Sequence, residues 1–247
     1  MIYILRFQFL LMFIFLFTNN GIAFAKQDSL KKKPFDILDH TMALATPRKA
    51  WTFKHHVNIE LVSLPKDWLE SALSIPFPGY KLRFHLPIGF SIDASIHSIV
   101  IASQIKFGPK YLINIGQFHA GIGLDGFLNI GWLNGYGFDN SVLKAWQIEP
   151  NLSIGVHFDN MALTLEGRYR YLTDYQISTG SLVYDESRNV FNGFTASLNI
   201  EQRLFKNQVM LMGISLNYAR FHILAWPVFN PVKSLYYMPQ FNIGMTF

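Results

Sequence analysis

From Trp146 to Phe158 apolar residues take every second position, Trp146, Ile148, Pro150, Leu152, Ile154, Val156 and Phe158, with Gln147, Glu149, Asn151, Ser153, Gly155 and His157 between them. A period of two is the signature of a strand whose successive side chains face opposite ways, so one face meets an apolar medium and the other a polar one. The end of the chain repeats it, with Tyr237, Pro239, Phe241, Ile243, Met245 and Phe247 set against Met238, Gln240, Asn242, Gly244 and Thr246. Half of the residues are apolar, 50%, yet beyond residue 25 no run reaches the roughly 18 consecutive apolar residues of a spanning helix.

The same reading divides the rest of the chain. Trp51 to Leu64 is a strand with Val57, Ile59 and Leu61 on one face. Ser63, Pro65 and Asp67 read as a helix start, and Trp68, Leu69, Ala72 and Leu73 at helical spacing predict a short amphipathic helix in the first loop, ended by Pro76 and Pro78. Tyr80 to Leu86 turns at Pro87 to Gly89 into a strand starting at Phe90 and running to Phe107 with a bulge, and Gly108 with Pro109 marks a reversal. A strand through Phe118, Ala120 and Ile122 links by Leu124 to Gly126 into Leu128, Ile130 and Trp132. Asp159 and Asn160 turn the strand of Trp146 to Phe158 into one from Met161 to Tyr171. Further strands carry Phe194 to Ile200, Met210 to Tyr218 and the terminal segment. The expected total is about ten, with eight or twelve as alternatives. Short links (Pro87 to Gly89, Leu124 to Gly126, Asp159 to Asn160, Lys206 to Gln208) alternate with longer ones (Pro65 to Gly79, Asn134 to Ser141, Gln176 to Asn189, His222 to Ser234).

At the N-terminus Arg6 precedes the run Phe7 to Phe17, apolar save Gln8, and Ala23, Phe24 and Ala25 supply a small-x-small cleavage site. This predicts a signal peptide over residues 1–25, a periplasmic tail over 26–50 and a β domain over 51–247. The tail, with Lys31, Lys32 and Lys33, lacks alternation; insertion as a plug is the other reading. The 21 basic and 16 acidic residues give a net charge of +5 without a basic stripe interleaved with aromatics, so nucleic acid is not an expected partner. There is no cysteine, hence no disulfide and no thiolate chemistry. Backbone pairing and packing alone must hold the fold.

In hydrocarbon every backbone N–H and C=O must be paired inside the protein, so a membrane chain without spanning helices closes its sheet. A soluble lipocalin-like barrel around a ligand is the rival. It would carry Lys and Glu on its outer face, whereas only 15% of the chain is charged and the polar faces are rich in Asn, Ser, Thr, Gln and Gly. The export signal, the alternating strands and the terminal strand ending in an aromatic residue resemble bacterial Gram-negative outer-membrane β-barrels. The resemblance implies a closed antiparallel transmembrane barrel in contact with outer-membrane lipid. It also implies handling by the barrel-assembly machinery, with Phe241, Ile243, Met245 and Phe247 matching the recognised pattern and Pro239 departing from it.

Chemistry in such a barrel lies on the polar faces. Counting out from the turns sets Arg83 opposite Asp93, Glu149 opposite Arg170, Asn151 opposite Arg168 and Ser153 opposite Glu166, with Glu201 and Arg203 on the following strand. Opposite charges on one face read either as a network filling the interior or as the selectivity region of a small polar pore. Of the eight histidines, His85, His97, His119, His157 and one of His55 and His56 fall on lumenal positions. His222 falls in a loop, where only Asp139, Asp174 and Asp185 of other loops could meet it. No metal-ligand spacing, phosphate loop or nucleophile elbow is present, and no cofactor is expected. The expected function is non-enzymatic: a small-solute channel, or a scaffold whose surface loops bind an external partner. An outer-membrane protease or lipase using a loop or rim histidine is the alternative.

Overall fold

The alternating segments pair as antiparallel strands around a closed ring. A computed structural model describes residues 35–247 apart from 66–73, 136–137, 206–207 and 229–232. The strands are β1 (Thr52–Ser63), β2 (Ser74–His85), β3 (Phe90–Ile99), β4 (Ala102–Ile115), β5 (Phe118–Gly135), β6 (Phe138–His157), β7 (Met161–Thr179), β8 (Leu182–Phe205), β9 (Gln208–Ala219) and β10 (Tyr236–Thr246). Each pairs with the next, and β10 returns to β1 in a register running from Val62 opposite Gln240 to His56 opposite Thr246. Closure leaves no sheet edge unpaired, which is what a membrane requires. We call the end where β1 starts and β10 finishes the base, and the opposite end the mouth.

About ten strands are expected and ten are found among the described residues, but two reversals lie elsewhere. Gly108 with Pro109 is inside β4, and Leu124 to Gly126 is inside β5; the chain turns instead at residues 100–101 and 116–117. Both reversals are displaced by about eight positions (108 to 100, 125 to 117); Phe90 to Ile96 and Phe118 to Trp132 keep their expected faces, whereas on β4 the odd positions Tyr111, Ile113 and Ile115 are exposed and Leu112 is buried. Pro and Gly imitate a turn here because the ladder lapses: Phe107 pairs with Gly126 and Lys110 with Gly123, leaving Gly108 and Pro109 without a β5 partner. Pro150 sits in a similar gap, where β6 pairing with β7 skips from Ile148 to Asn151, and Pro239 lies beyond the last residue that β1 pairs, Gln240. A missing N–H costs nothing where no acceptor waits. The expected loops over 134–141 and 176–189 are largely strand, as β5 to β8 run on through them. The expected helix of the first loop lies outside the described residues, while Pro76 and Pro78, its expected stop, belong to β2 above the end of its pairing with β3.

The outer wall is apolar through its middle, with Ile59, Ile96, Ile122, Leu152, Leu198 and Ile243 exposed. Aromatic side chains bound this zone at the base (Trp51, Phe53, Phe90, Phe118, Phe158, Phe247) and toward the mouth (Trp132, Trp146, Tyr169, Phe194, Tyr218, Tyr237). Trp146 to Phe158 is about 12 residue steps; at about 3.3 Å each and a tilt of roughly 40° the belts stand about 30 Å apart, a hydrocarbon thickness. Beyond the mouth-side belt the wall inverts. β7 and β8 show Asp174, Glu186 and Arg188 outside, with Arg188 paired to Asp174 (3.5 Å) and Glu186 (2.8 Å), while Leu172, Tyr175 and Ile177 are buried inside.

A ring held by ten cooperating ladders resists local unpairing. The folded protein is therefore expected to stay folded in SDS at room temperature and to change electrophoretic mobility on boiling. A protein recovered in soluble form that migrates identically before and after heating would contradict the membrane-facing assignment of the apolar wall.

Candidate functional site

The lumen is filled in four layers. At the base, residues 36–46 enter the ring instead of trailing from it. Asp36 caps the short 3-10 turn Ile37–Asp39 by accepting from the Leu38 N–H at 3.0 Å, and Arg48 pairs with Asp36 (3.3 Å) and Asp39 (3.1 Å). The Glu201 carboxylate, buried on β8, accepts three consecutive backbone donors: Met42 N–H and Ala43 N–H (3.0 Å) on Oε1, and Leu44 N–H (2.9 Å) on Oε2. Lys54 Nζ, on β1, donates to the Leu38 (2.9 Å) and Thr41 (2.8 Å) carbonyls. Glycine makes room for this plug, since a Cβ at Gly121 would collide with Ala45 and one at Gly155 with Leu44.

Above the plug runs a ladder of buried charges. Arg83 donates bidentately to Asp93 (Nε to Oδ1 2.6 Å, Nη2 to Oδ2 2.7 Å). Lys110 stands between Asp93 (3.9 Å) and Glu166 (3.5 Å), Glu166 accepts from Arg168 at 2.8 Å, Lys106 approaches Asp125 (3.4 Å), and Arg170 pairs with Glu149 (3.0 Å). Carboxylates and cations that alternate at these distances compensate one another's desolvation, as single buried charges could not.

The third layer is a polar cavity of about 40 Å³ lined by Glu60, Lys81, His97, Lys106, Asn129, Arg168 and Arg170, among others. The fourth is a lid. The segment between β9 and β10 folds into the mouth with a 3-10 turn, Ile223–Val228. Asn192 holds its start, accepting from Phe221 N–H (2.7 Å) and donating to Phe221 O (3.2 Å), and Trp226 Nε1 donates to Ile101 O at 3.0 Å. Phe221, Ile223, Leu224 and Trp226 pack with Phe77, Leu143, Leu172 and Tyr175 in one apolar cluster. Each large side chain buried there contributes about 1.5–3 kcal/mol to the closure.

Of the residues expected in the interior, Arg83, Asp93, Glu149, Glu166, Arg168 and Arg170 meet in the ladder. Arg168 takes its carboxylate from Glu166 on its own strand, with Asn151 merely opposite in register. Glu201 is lumenal but serves the plug. Arg203 lies at the exposed base end of β8, its N–H bonded to Asn160 O (3.0 Å). Lys54, Lys106, Lys110 and Asp125 are lumenal as well, which the hairpin counting does not predict. The first continues the count back from His56, and the others flank the imitation turns, so carrying the alternation across Pro109 and Gly126 would have found them. His56, His85, His97 and His119 are buried in the lumen, and His119 bonds His157 at 2.7 Å, whereas His55 faces Tyr80. His222 is 8% exposed and turned inward, accepting from Leu224 N–H (3.3 Å), away from Asp174 on the outer wall. Burial, reinforced by the nearby Arg170, pushes its pKa down to about 3.

A closed antiparallel ring with an apolar, aromatic-bounded outer wall and a charge-filled lumen defines a bacterial outer-membrane β-barrel. No protein-family model matches the chain and no curated protein is similar to it in sequence. Among solved structures it is similar to the KdgM porin in complex with disordered oligogalacturonate (9% identity, 78% of this chain and 98% of that one, TM-score 0.40). It is similar too to the translocator domain of the autotransporter NalP from Neisseria meningitidis (6%, 81% and 88%, 0.42). A third is outer membrane phospholipase A from Escherichia coli (9%, 89% and 94%, 0.36). At these identities the likeness is one of fold.

Proposed function

We propose that this barrel is a non-enzymatic, gated channel for small solutes, closed at rest, with the charge ladder as its selectivity region. The observation that carries the reading is the nature of the two closures. Plug and lid are non-strand segments held by side-chain hydrogen bonds from Glu201, Lys54, Asn192 and Trp226 and by apolar packing, so both ends of the lumen can clear without unpairing a strand. A ten-strand ring is narrow, and any solute it passes is small. On this reading the outward row Phe241, Ile243, Met245 and Phe247 serves the barrel-assembly machinery, and the outer wall meets lipid.

His222 supplies the lever for the test. Its docked pKa of about 3 lies below the ordinary histidine value of 6.5, so docking keeps it neutral beside Arg170, Glu60 and His97. Stability of the docked lid is complete above pH 6.5 and falls as pH drops toward 3, because the undocked state binds the extra proton. Planar-bilayer recordings of wild type should be almost silent at pH 7.5 and show brief openings of one small conductance at pH 4.5, with His222→Asn insensitive to that change. A wild-type barrel that never conducts between pH 4.5 and 7.5 would overturn the channel and leave the ladder a filling.

A further inference from the structure

The cavity under the lid has a chemistry of its own. Four of the five formally charged side chains that line it, Lys81, Lys106, Arg168 and Arg170, are cations, and the carboxylates paired with the last three, Asp125, Glu166 and Glu149, do not reach its surface. The fifth, Glu60, is saturated. It accepts from Asn58 (3.1 Å), Lys81 (3.0 Å) and Gln240 (2.5 Å), and His97 Nε2 lies 3.2 Å away. Two lining residues carry buried donors without partners: Asn129 Nδ2, whose own Oδ1 is taken by Gln104 (2.8 Å), and Arg168 Nε, whose Nη2 is engaged with Glu166.

Each buried donor left unmet costs about 1–3 kcal/mol. Water could accept from them, but it brings two hydrogens of its own. Most of the lining acceptors are spent, since Glu60 is saturated and the side-chain carbonyls of Gln147 and Gln240 accept from Asn192 (2.8 Å) and Asn217 (2.9 Å); among the lining residues His97 Nδ1 has no partner. An anion brings acceptors only. The volume, about 40 Å³, holds about three water-sized spheres, which suits four or five heavy atoms and excludes a sugar or a nucleotide.

We infer that this cavity is a binding site for one small oxyanion, the carboxylate of a two-carbon acid or inorganic phosphate, held by Asn129 Nδ2 and Arg168 Nε among the cationic heads of Lys81, Lys106 and Arg170. The site does not depend on conduction: binding to a silent barrel would keep it and remove only the channel.

The test is calorimetric titration of the folded, detergent-solubilised protein with sodium acetate and with sodium phosphate, using as reference sodium gluconate, a carboxylate too large for the cavity. Saturable binding of one anion per barrel is expected, at least tenfold weaker in Asn129→Asp, which keeps the Gln104 contact but replaces the free donor with an oxygen. Acetate alone would assign an organic acid, phosphate alone the inorganic ion. As a measurement on wild type only, the temperature at which SDS mobility shifts should rise in the binding anion relative to gluconate at equal ionic strength. No binding of either anion, no rise over gluconate, or a folded Asn129→Asp protein of unchanged affinity would overturn the site.

Discussion

Glu201→Ala should release the segment that closes the base of the barrel. The carboxylate satisfies three successive backbone N–H groups of residues 42–44 inside the ring, and alanine leaves all three buried and unmet, at about 1–3 kcal/mol each. What remains is Lys54 on two carbonyls, a long contact from Arg83 to Leu44 O (3.4 Å) and the packing of Leu44 and Ala45. The chain contains no cysteine, so a single one reports cleanly. Thr46→Cys preserves size, and the Thr46 hydroxyl it removes has no partner. Its labelling by a membrane-impermeant maleimide should be at least a hundredfold faster with Glu201→Ala than without it, the equivalent of about 3 kcal/mol. Glu201→Gln, keeping one acceptor oxygen, should fall between. Channel openings should become more frequent as well, but only in steps that the lid permits, because the two closures stand in series. Equal labelling rates would mean that the plug is held by packing and that the carboxylate is incidental.

The second large effect concerns the ladder. Arg83 and Asp93 form two short parallel hydrogen bonds with both side chains almost fully buried, and the next cation, Lys110, is 3.9 Å from Asp93. Arg83→Ala strands a carboxylate in the lumen and is expected to cost about 3–5 kcal/mol, read as a lowered urea midpoint in detergent micelles. Arg83→Lys should recover only part of it, since an ammonium cannot reproduce the planar fork. Replacing both partners with apolar residues of similar size, Arg83→Met with Asp93→Leu, should restore most of the loss. By contrast Arg188→Ala, removing the exposed pairs with Asp174 and Glu186, should move the midpoint by no more than about 0.5 kcal/mol. If Arg83→Ala behaved like Arg188→Ala, water would have to reach the ladder freely and the lumen would not be sealed.

Alternation along the chain determined a great deal. Side-chain period two marks strands wherever one face is apolar, and hairpin counting then places partners, so Arg83 with Asp93 and Glu149 with Arg170 are legible as pairs in the sequence. The same rule predicted a closed ring of about ten strands, because backbone in hydrocarbon has no other way to satisfy itself. It failed at the local imitation of a turn by Gly108 and Pro109 and by Leu124 to Gly126, where a lapse in one ladder tolerates residues that normally end a strand, and at the mouth, where β5 to β8 run on through segments expected as loops.

What fills the ring was decided by tertiary structure. The plug and the lid carry no period, and their partners are far away in sequence: Met42 meets Glu201 159 positions on, and Trp226 meets Ile101 125 positions back. A periodic pattern reports the medium on each side of a strand. An aperiodic segment has no such record, and whether it hangs free or fills a cavity depends on the shape and unmet donors and acceptors of a lumen that exists only once the ring has closed.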